Sequence, residues 1–307
     1  MIQTIFKKLC KGLLVLSGPF VFGQQPINAF LTPSDTLNTS RQTGVLVAHA
    51  AGTATAFTLL ATTWYSSHDR DDFHFQNDAA HWKQMDKAGH AFGSYQLARH
   101  SGALWQWAGV PQNESKYYAA GFSFLAMSAI EIADGYSKKW GASLTDLAAN
   151  AAGSGLYLAQ ESLWNEQRIQ LKYSFHYTAY ADVTPALLGE TSTEQWLKDY
   201  NGQTYWLSAN LSSFGVGAPW PEWLNVAFGY GANGMLQGKE GLTNLVFLPD
   251  NEASRQYYLS LDIDLTKIRT QSALLKTVFS VFNTLKVPMP TLEINGSGKV
   301  KGHLLYF

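Results

Sequence analysis

Asp86, Lys87 and His90 form the first of three short polar runs in this chain. Glu131 and Asp134 form the second, and Asp146 and Asn150 the third. Each run interrupts a stretch rich in Ala, Gly, Ser and Leu that reads as helix. Residues three or four apart share a helix face. Asp86 therefore points with His90, Glu131 with Asp134, and Asp146 with Asn150. Three such pairs on three helices predict one buried polar cluster. Buried acids and imidazoles are costly unless they are paired, hydrogen-bonded or bound to a metal.

Two kinds of chemistry follow. Asp86, His90, Glu131 and Asp146 offer carboxylate and imidazole donors that suit a divalent metal: zinc, manganese or magnesium, depending on geometry. Such an ion would satisfy several buried charges at once and could activate water. The other reading is a network of hydrogen bonds and ion pairs that locks the helices together, with Lys87 as a counter-charge. Asp146 then caps its helix or begins the first turn. The sequence favours the network. No spacing matches a hydrolase triad or a zinc-binding helix motif, and nothing pairs Ser143 with His90 as nucleophile and base.

The elements that must position these groups can be read from the remaining pattern. Residues 1–23 read as a signal peptide, with Lys7, Lys8 and Lys11 before the apolar run Leu13 to Phe22 and a small residue, Gly23, at its end. Cys10, the single cysteine, precedes that run, so it is misplaced for lipidation. Disulfides, thiolate ligands and cysteine nucleophiles are excluded from the rest. Residues 24–43 are polar and turn-rich, an exposed leader; Asp35-Thr36-Leu37 in it is similar to the O-glycosylation acceptor of some Bacteroidota. Gly44 to Tyr65 is apolar and long enough to span a bilayer. The Asp- and His-rich stretch 68–81 reads as a solvated loop, with a metal site as the alternative. Helical patterns resume at 85–108, 115–136 and 144–165. Gly153-Ser154-Gly155 lacks the lysine of a phosphate loop and fits close helix packing instead.

Beyond Trp164 the period falls to two. Alternation over 168–180, 203–214, 223–236 and 256–268, and two strands about Gly296-Ser297-Gly298, give about six strands, with a short helix at 272–286. Half-exposed strands with aromatic ends fit a membrane-barrel pattern, and a chain ending in Phe resembles the C-terminal signature of outer-membrane barrels. Six is fewer than the eight at which membrane barrels begin. Short strands such as 242–248, helices over the edges, or a partner protein would make up the difference.

The segment from Trp82 to about Trp164 resembles the YfiM-like family, described as predicted periplasmic lipoproteins of unknown function, and more distantly the VanZ-like family. The resemblance rests on Asp86-Lys87-Ala88-Gly89-His90, on Glu131-Ile132-Ala133-Asp134-Gly135, and on Ser143 to Asn150 followed by Gly153. It implies a helical envelope module with no assigned reaction.

The expected fold class is α+β: an N-terminal bundle of about four apolar helices over 44–165, then an antiparallel sheet or small outer-membrane β-barrel over 166–307. At 15% charged residues and a net charge of −1, the chain has no basic surface for nucleic acid. The expected partners are membrane lipid and an outer-membrane protein. The expected location is the outer membrane, with periplasm or inner membrane as alternatives. The expected role is structural or accessory within an envelope assembly; the alternative is a metal-assisted enzyme acting on lipid or cell-wall material.

Overall fold

A computed structural model describes residues 21–62, 69–238 and 253–307. Most of the expected signal segment and the extra strand expected at 242–248 lie outside these residues. The chain is α+β, with helices first and a six-stranded antiparallel sheet after them.

The first helices are α1 (Val21–Leu31) and α2 (Thr39–Leu60). The expected exposed leader is therefore largely helical. Its order has local causes: the Trp107 indole donates to Phe30 O at 2.5 Å, and Asn28 Oδ1 accepts from Leu274 N at 3.1 Å. Asn38 N-caps α2 by accepting from Arg41 N at 3.0 Å, which starts that helix earlier than its apolar run begins. α2 is long and apolar enough to cross a membrane, and little of it is buried. It touches the other helices through Val45, which packs with Trp105, Ala108 and Val110, through His49, which stacks on Phe122, and through Arg41, which lies over Trp107.

Three helices form the tightly packed unit: α3 (Met85–Trp107), α4 (Gln112–Gly135) and α5 (Leu144–Leu163). The expected bundle of four apolar helices is thus a unit of three, with α2 largely outside it. Nor is the unit uniformly apolar. Ser94, Ser101, Ser115, Ser123 and Ser154 are buried in it. Small residues let the backbones approach: a Cβ on Gly153 would sit 2.1 Å from Ala91 O of α3. That is the close packing expected of Gly153-Ser154-Gly155.

The strands are β1 (Ile169–Phe175), β2 (Gln203–Ala209), β3 (Leu224–Asn233), β4 (Ser254–Ile263), β5 (Met289–Asn295) and β6 (Val300–Tyr306), paired in chain order. Three short helices that the sequence pattern did not show, α6 (Tyr180–Val183), α7 (Pro185–Leu188) and α8 (Ser192–Lys198), join β1 to β2; α9 (Ala273–Phe282) precedes β5. The sheet is not closed into a barrel, which corrects that part of the expectation. The free edge of β1 is instead bridged by 284–286, where Tyr173 N donates to Thr284 O and Lys286 N to Tyr173 O at 3.0 and 2.9 Å. The second edge of β6 pairs with no strand among the described residues.

The sheet curls so that its inner face meets itself. Lys172 of β1 pairs with Asp262 of β4 at 2.7 Å, both fully buried. Tyr306 of β6 bonds Tyr258 at 2.8 Å and Thr204 of β2 at 3.2 Å. Ser208, Asn225 and Asn210 extend this polar interior by mutual hydrogen bonds. The outer face is apolar. Over β1 and β2 it is covered by α3, where Phe92 packs on Tyr173 and Tyr205. Over β3 to β6 it lies open, with Phe228, Leu259, Leu292, Ile294 and Leu304 exposed.

Candidate functional site

The cluster forms where the N-termini of α3 and α5 meet the C-terminal half of α4. Residues 69–78 reach it by running back along the α4–α5 connection. Asp71 N and His74 N donate to Tyr136 O and Gly135 O, and Gln76 N to Ala142 O, at 2.9–3.0 Å. This delivers Asp78. Ser143 N-caps α5, accepting from Asp146 N at 3.1 Å, so Asp146 stands in the first turn rather than at the cap.

Lys87 is the hub of one half. Its ammonium lies 2.5 Å from Asp78, 2.9 Å from Asp86 and 3.0 Å from Asp146. Burial tends to lower the Lys87 pKa, but Asp86, Asp78 and Asp146 outweigh it and hold the ammonium above its usual range. Burial likewise acts to raise Asp78. Hydrogen bonds from Lys87 and Ser143 overcome that and bring it to about 2. Ser143 Oγ donates to Asp78 Oδ1 at 2.5 Å, and Thr145 Oγ1 donates to the same oxygen at 3.0 Å. Asp86 and Asp146 are both raised, chiefly by burial.

The other half centres on His90. Its Nδ1 lies 3.1 Å from Asn150 Oδ1, and its Nε2 lies 3.5 Å from Glu131 Oε1. Glu131 is 2% exposed. Its Oε2 accepts from Ser143 N at 3.2 Å, while its Oε1 has no hydrogen-bond partner. Burial, with the charges of Asp146 and Asp134 added, pushes the Glu131 carboxyl up to about 8. Asp146 Oδ1 and Asn150 Nδ2 also lack hydrogen-bond partners.

The sequence-predicted residues Asp86, Lys87, His90, Glu131, Asp146 and Asn150 thus converge, and Asp134 lines the adjoining cavity. That cavity, of about 690 Å³, is lined by Asp78, Asp86, His90 and Asp146 and by the aromatic residues Trp82, Tyr200 and Tyr205. Of the Asp- and His-rich stretch, Asp78 enters the cluster, His81 lines the cavity, and Asp69, Asp71 and Asp72 are exposed. Asp78 was visible in the sequence only as one acid among several, because an irregular loop has no period to aim it. Tyr205 of β2 and Tyr200 of the turn before it carried no signal as cavity residues, since no local pattern shows which distant elements they will face.

Residues 71–161, under a third of the chain, match a family described as predicted periplasmic lipoprotein (DUF2279). The match includes every residue of the cluster, Asp78 among them. It fits an envelope-associated protein of unknown function; the names YfiM and VanZ are not part of it. No curated protein and no solved structure matches the chain.

Proposed function

We propose that this is an outer-membrane structural or accessory protein whose sheet seats in the bilayer and whose three-helix unit stands beside it. The polarity of the sheet carries this reading. In a water-soluble sheet the buried face is apolar and the open face polar. Here Lys172, Asp262, Ser208 and Asn225 are buried and bonded to one another, while Phe228, Leu259, Leu292 and Leu304 face outward. That is the arrangement of strands whose outer side meets hydrocarbon.

The dimensions agree. On β4 the outward positions Tyr257, Leu259, Leu261 and Ile263 span roughly 20 Å at about 3.4 Å per residue. The apolar band of membrane strands is about 25 Å tall. Aromatic residues mark both ends: Trp220 and Trp223 lead into β3, and Tyr230 and Tyr257 pair at the other limit. Amphipathic rings favour such interfaces. The edge of β6, unpaired among the described residues, supports the accessory role, because an open edge in lipid needs a strand from a partner.

The test is fractionation with a matched variant. The full chain is expected to remain with membranes after alkaline carbonate washing and to float with phosphatidylethanolamine/phosphatidylglycerol vesicles. Phe228→Asp/Leu259→Asp, which places charge only on the outer face, should abolish flotation while leaving circular dichroism unchanged. A wild-type chain that stays soluble, or a folded variant that floats equally well, overturns the proposal.

A further inference from the structure

We propose that His90 Nε2, Glu131 Oε1 and Asp146 Oδ1 form a binding site for a divalent transition cation, with zinc and manganese as the best-suited class, open on one side to the cavity.

Two triads of potential ligands exist among the described residues: Asp78, Asp86 and Asp146, and His90, Glu131 and Asp146. The Lys87 ammonium serves the first. It touches the second only at Asp146. Glu131 Oε1 and Asp146 Oδ1 both lack a hydrogen bond, though Asp146 Oδ1 feels the Lys87 charge at 3.0 Å. A buried carboxylate oxygen without a donor, as at Glu131, which is 2% exposed, is costly to leave so.

The histidine is set for the same task. Asn150 Oδ1 can only accept, so His90 Nδ1 carries the proton of their 3.1 Å contact. In the neutral ring the lone pair then falls on Nε2. It faces Glu131 Oε1 at 3.5 Å, and with Glu131 ionised the two meet lone pair toward lone pair. Such a pair needs something positive between or beside it. A metal-ligating histidine characteristically donates its other ring N–H to a carbonyl or carboxylate, as His90 does here.

The spacing also fits. Two ligands each about 2.1 Å from a tetrahedral metal lie about 3.4 Å apart. The Nε2–Oε1 separation is 3.5 Å, and one donor atom from each of the three residues lies within 4.8 Å of the others. Three protein ligands and an open side match sites that keep a position for water or a ligand. His90 and Asp146 line the 690 Å³ cavity, which supplies that side.

The alternative occupant is a proton on Glu131 or His90, and the experiment separates the two. Purified full chain, stripped with chelator and folded by circular dichroism, is titrated with Co²⁺ alone and with Zn²⁺ alone. The expected result is one equivalent of Co²⁺ with the visible absorption of a four- or five-coordinate ion, displaced by Zn²⁺. His90→Ala should remove that absorption. Asn150→Ala should weaken binding tenfold to a hundredfold, the usual effect of removing the group that fixes a ligating imidazole. Glu131→Gln, which keeps the shape, serves where His90→Ala fails to fold, and should also lose the ion. Asp72→Asn, on the exposed loop, should change nothing. A folded wild type that binds no Co²⁺, or binding that survives both His90→Ala and Glu131→Gln, overturns the proposal. None of these readouts depends on membrane seating.

Discussion

Lys87→Met is the most informative single substitution. It keeps most of the length of the side chain and removes the one ammonium shared by Asp78, Asp86 and Asp146. At about 3 Å and an effective dielectric of about 20, each pair is worth about 5 kcal/mol before desolvation is counted. Desolvation and repulsion among the three acids consume most of that sum. Removing one partner of a buried pair typically costs about 3–5 kcal/mol. The four side chains keep 7–14% exposure, which places the expected loss near the lower end, about 3 kcal/mol at pH 7. The loss must also depend on pH. Asp86 and Asp146 are already raised by burial, and without Lys87 they rise further. The folded variant then binds more protons than its unfolded chain, so its stability falls as pH rises. The deficit against wild type should therefore be clearly smaller at pH 5 than at pH 7. Urea unfolding followed by tryptophan fluorescence measures both, by linear extrapolation. A deficit below about 1 kcal/mol at pH 7 would mean that the pairs behave as surface ion pairs. An equal deficit at both pH values would mean that the acids are not repelling one another. Either result refutes the picture of Lys87 as the hub.

Three further outcomes are expected. Gly153→Val should destabilise by at least 1–3 kcal/mol in thermal or urea unfolding, because the new side chain starts 2.1 Å from Ala91 O and α3 must move away. Lys172→Met should cost about 3–5 kcal/mol by stranding Asp262, and Lys172→Met/Asp262→Leu should recover much of it; a double variant no better than the single would deny that the pair acts as a unit. In chelator-treated protein, Glu131, raised to about 8, binds a proton in the folded state that the unfolded chain has released above about 4.5. Its contribution is complete below 4.5 and disappears as pH rises through 8, so wild-type stability should decline across that window by a few kcal/mol and Glu131→Gln should flatten the decline.

Much of the cluster was legible because helices convert spacing into direction. Asp86 with His90, and Asp146 with Asn150, needed only the period of an α-helix. The six strands were legible for the same reason, with a period of two. What the sequence hid was set by contacts between distant segments. Asp78 joins the site through backbone pairing of 69–76 with the α4–α5 connection, which no local pattern records. The covering of the β1 edge depends on 284–286 lying against it, a pairing that resembles nothing in the residues themselves. The short helices between β1 and β2 were missed because each is only a turn or two long, too short for periodicity to show. The expected leader became helix because Asn28 and Phe30 find partners nearly eighty or more residues away.

The turn His81–Gln84, which leads into α3, links the sheet to the cluster mechanically. Trp82, Lys83 and Gln84 all take positive φ, at 48°, 51° and 66°, a run that L-residues rarely adopt and that costs free energy at each step. The sheet holds it there. Tyr230 of β3 donates to Lys83 O, Arg255 of β4 bonds Gln84 Oε1 at 2.7 Å, and Trp82 N reaches Gly238 O at 2.9 Å. Two residues after this clamp comes Asp86, then Lys87 and His90. The register of the polar cluster is therefore tied to the placement of β3 and β4. The helical segment made by itself would relax this turn, and a distortion of the sheet would reach His90 through a lever of fewer than ten residues.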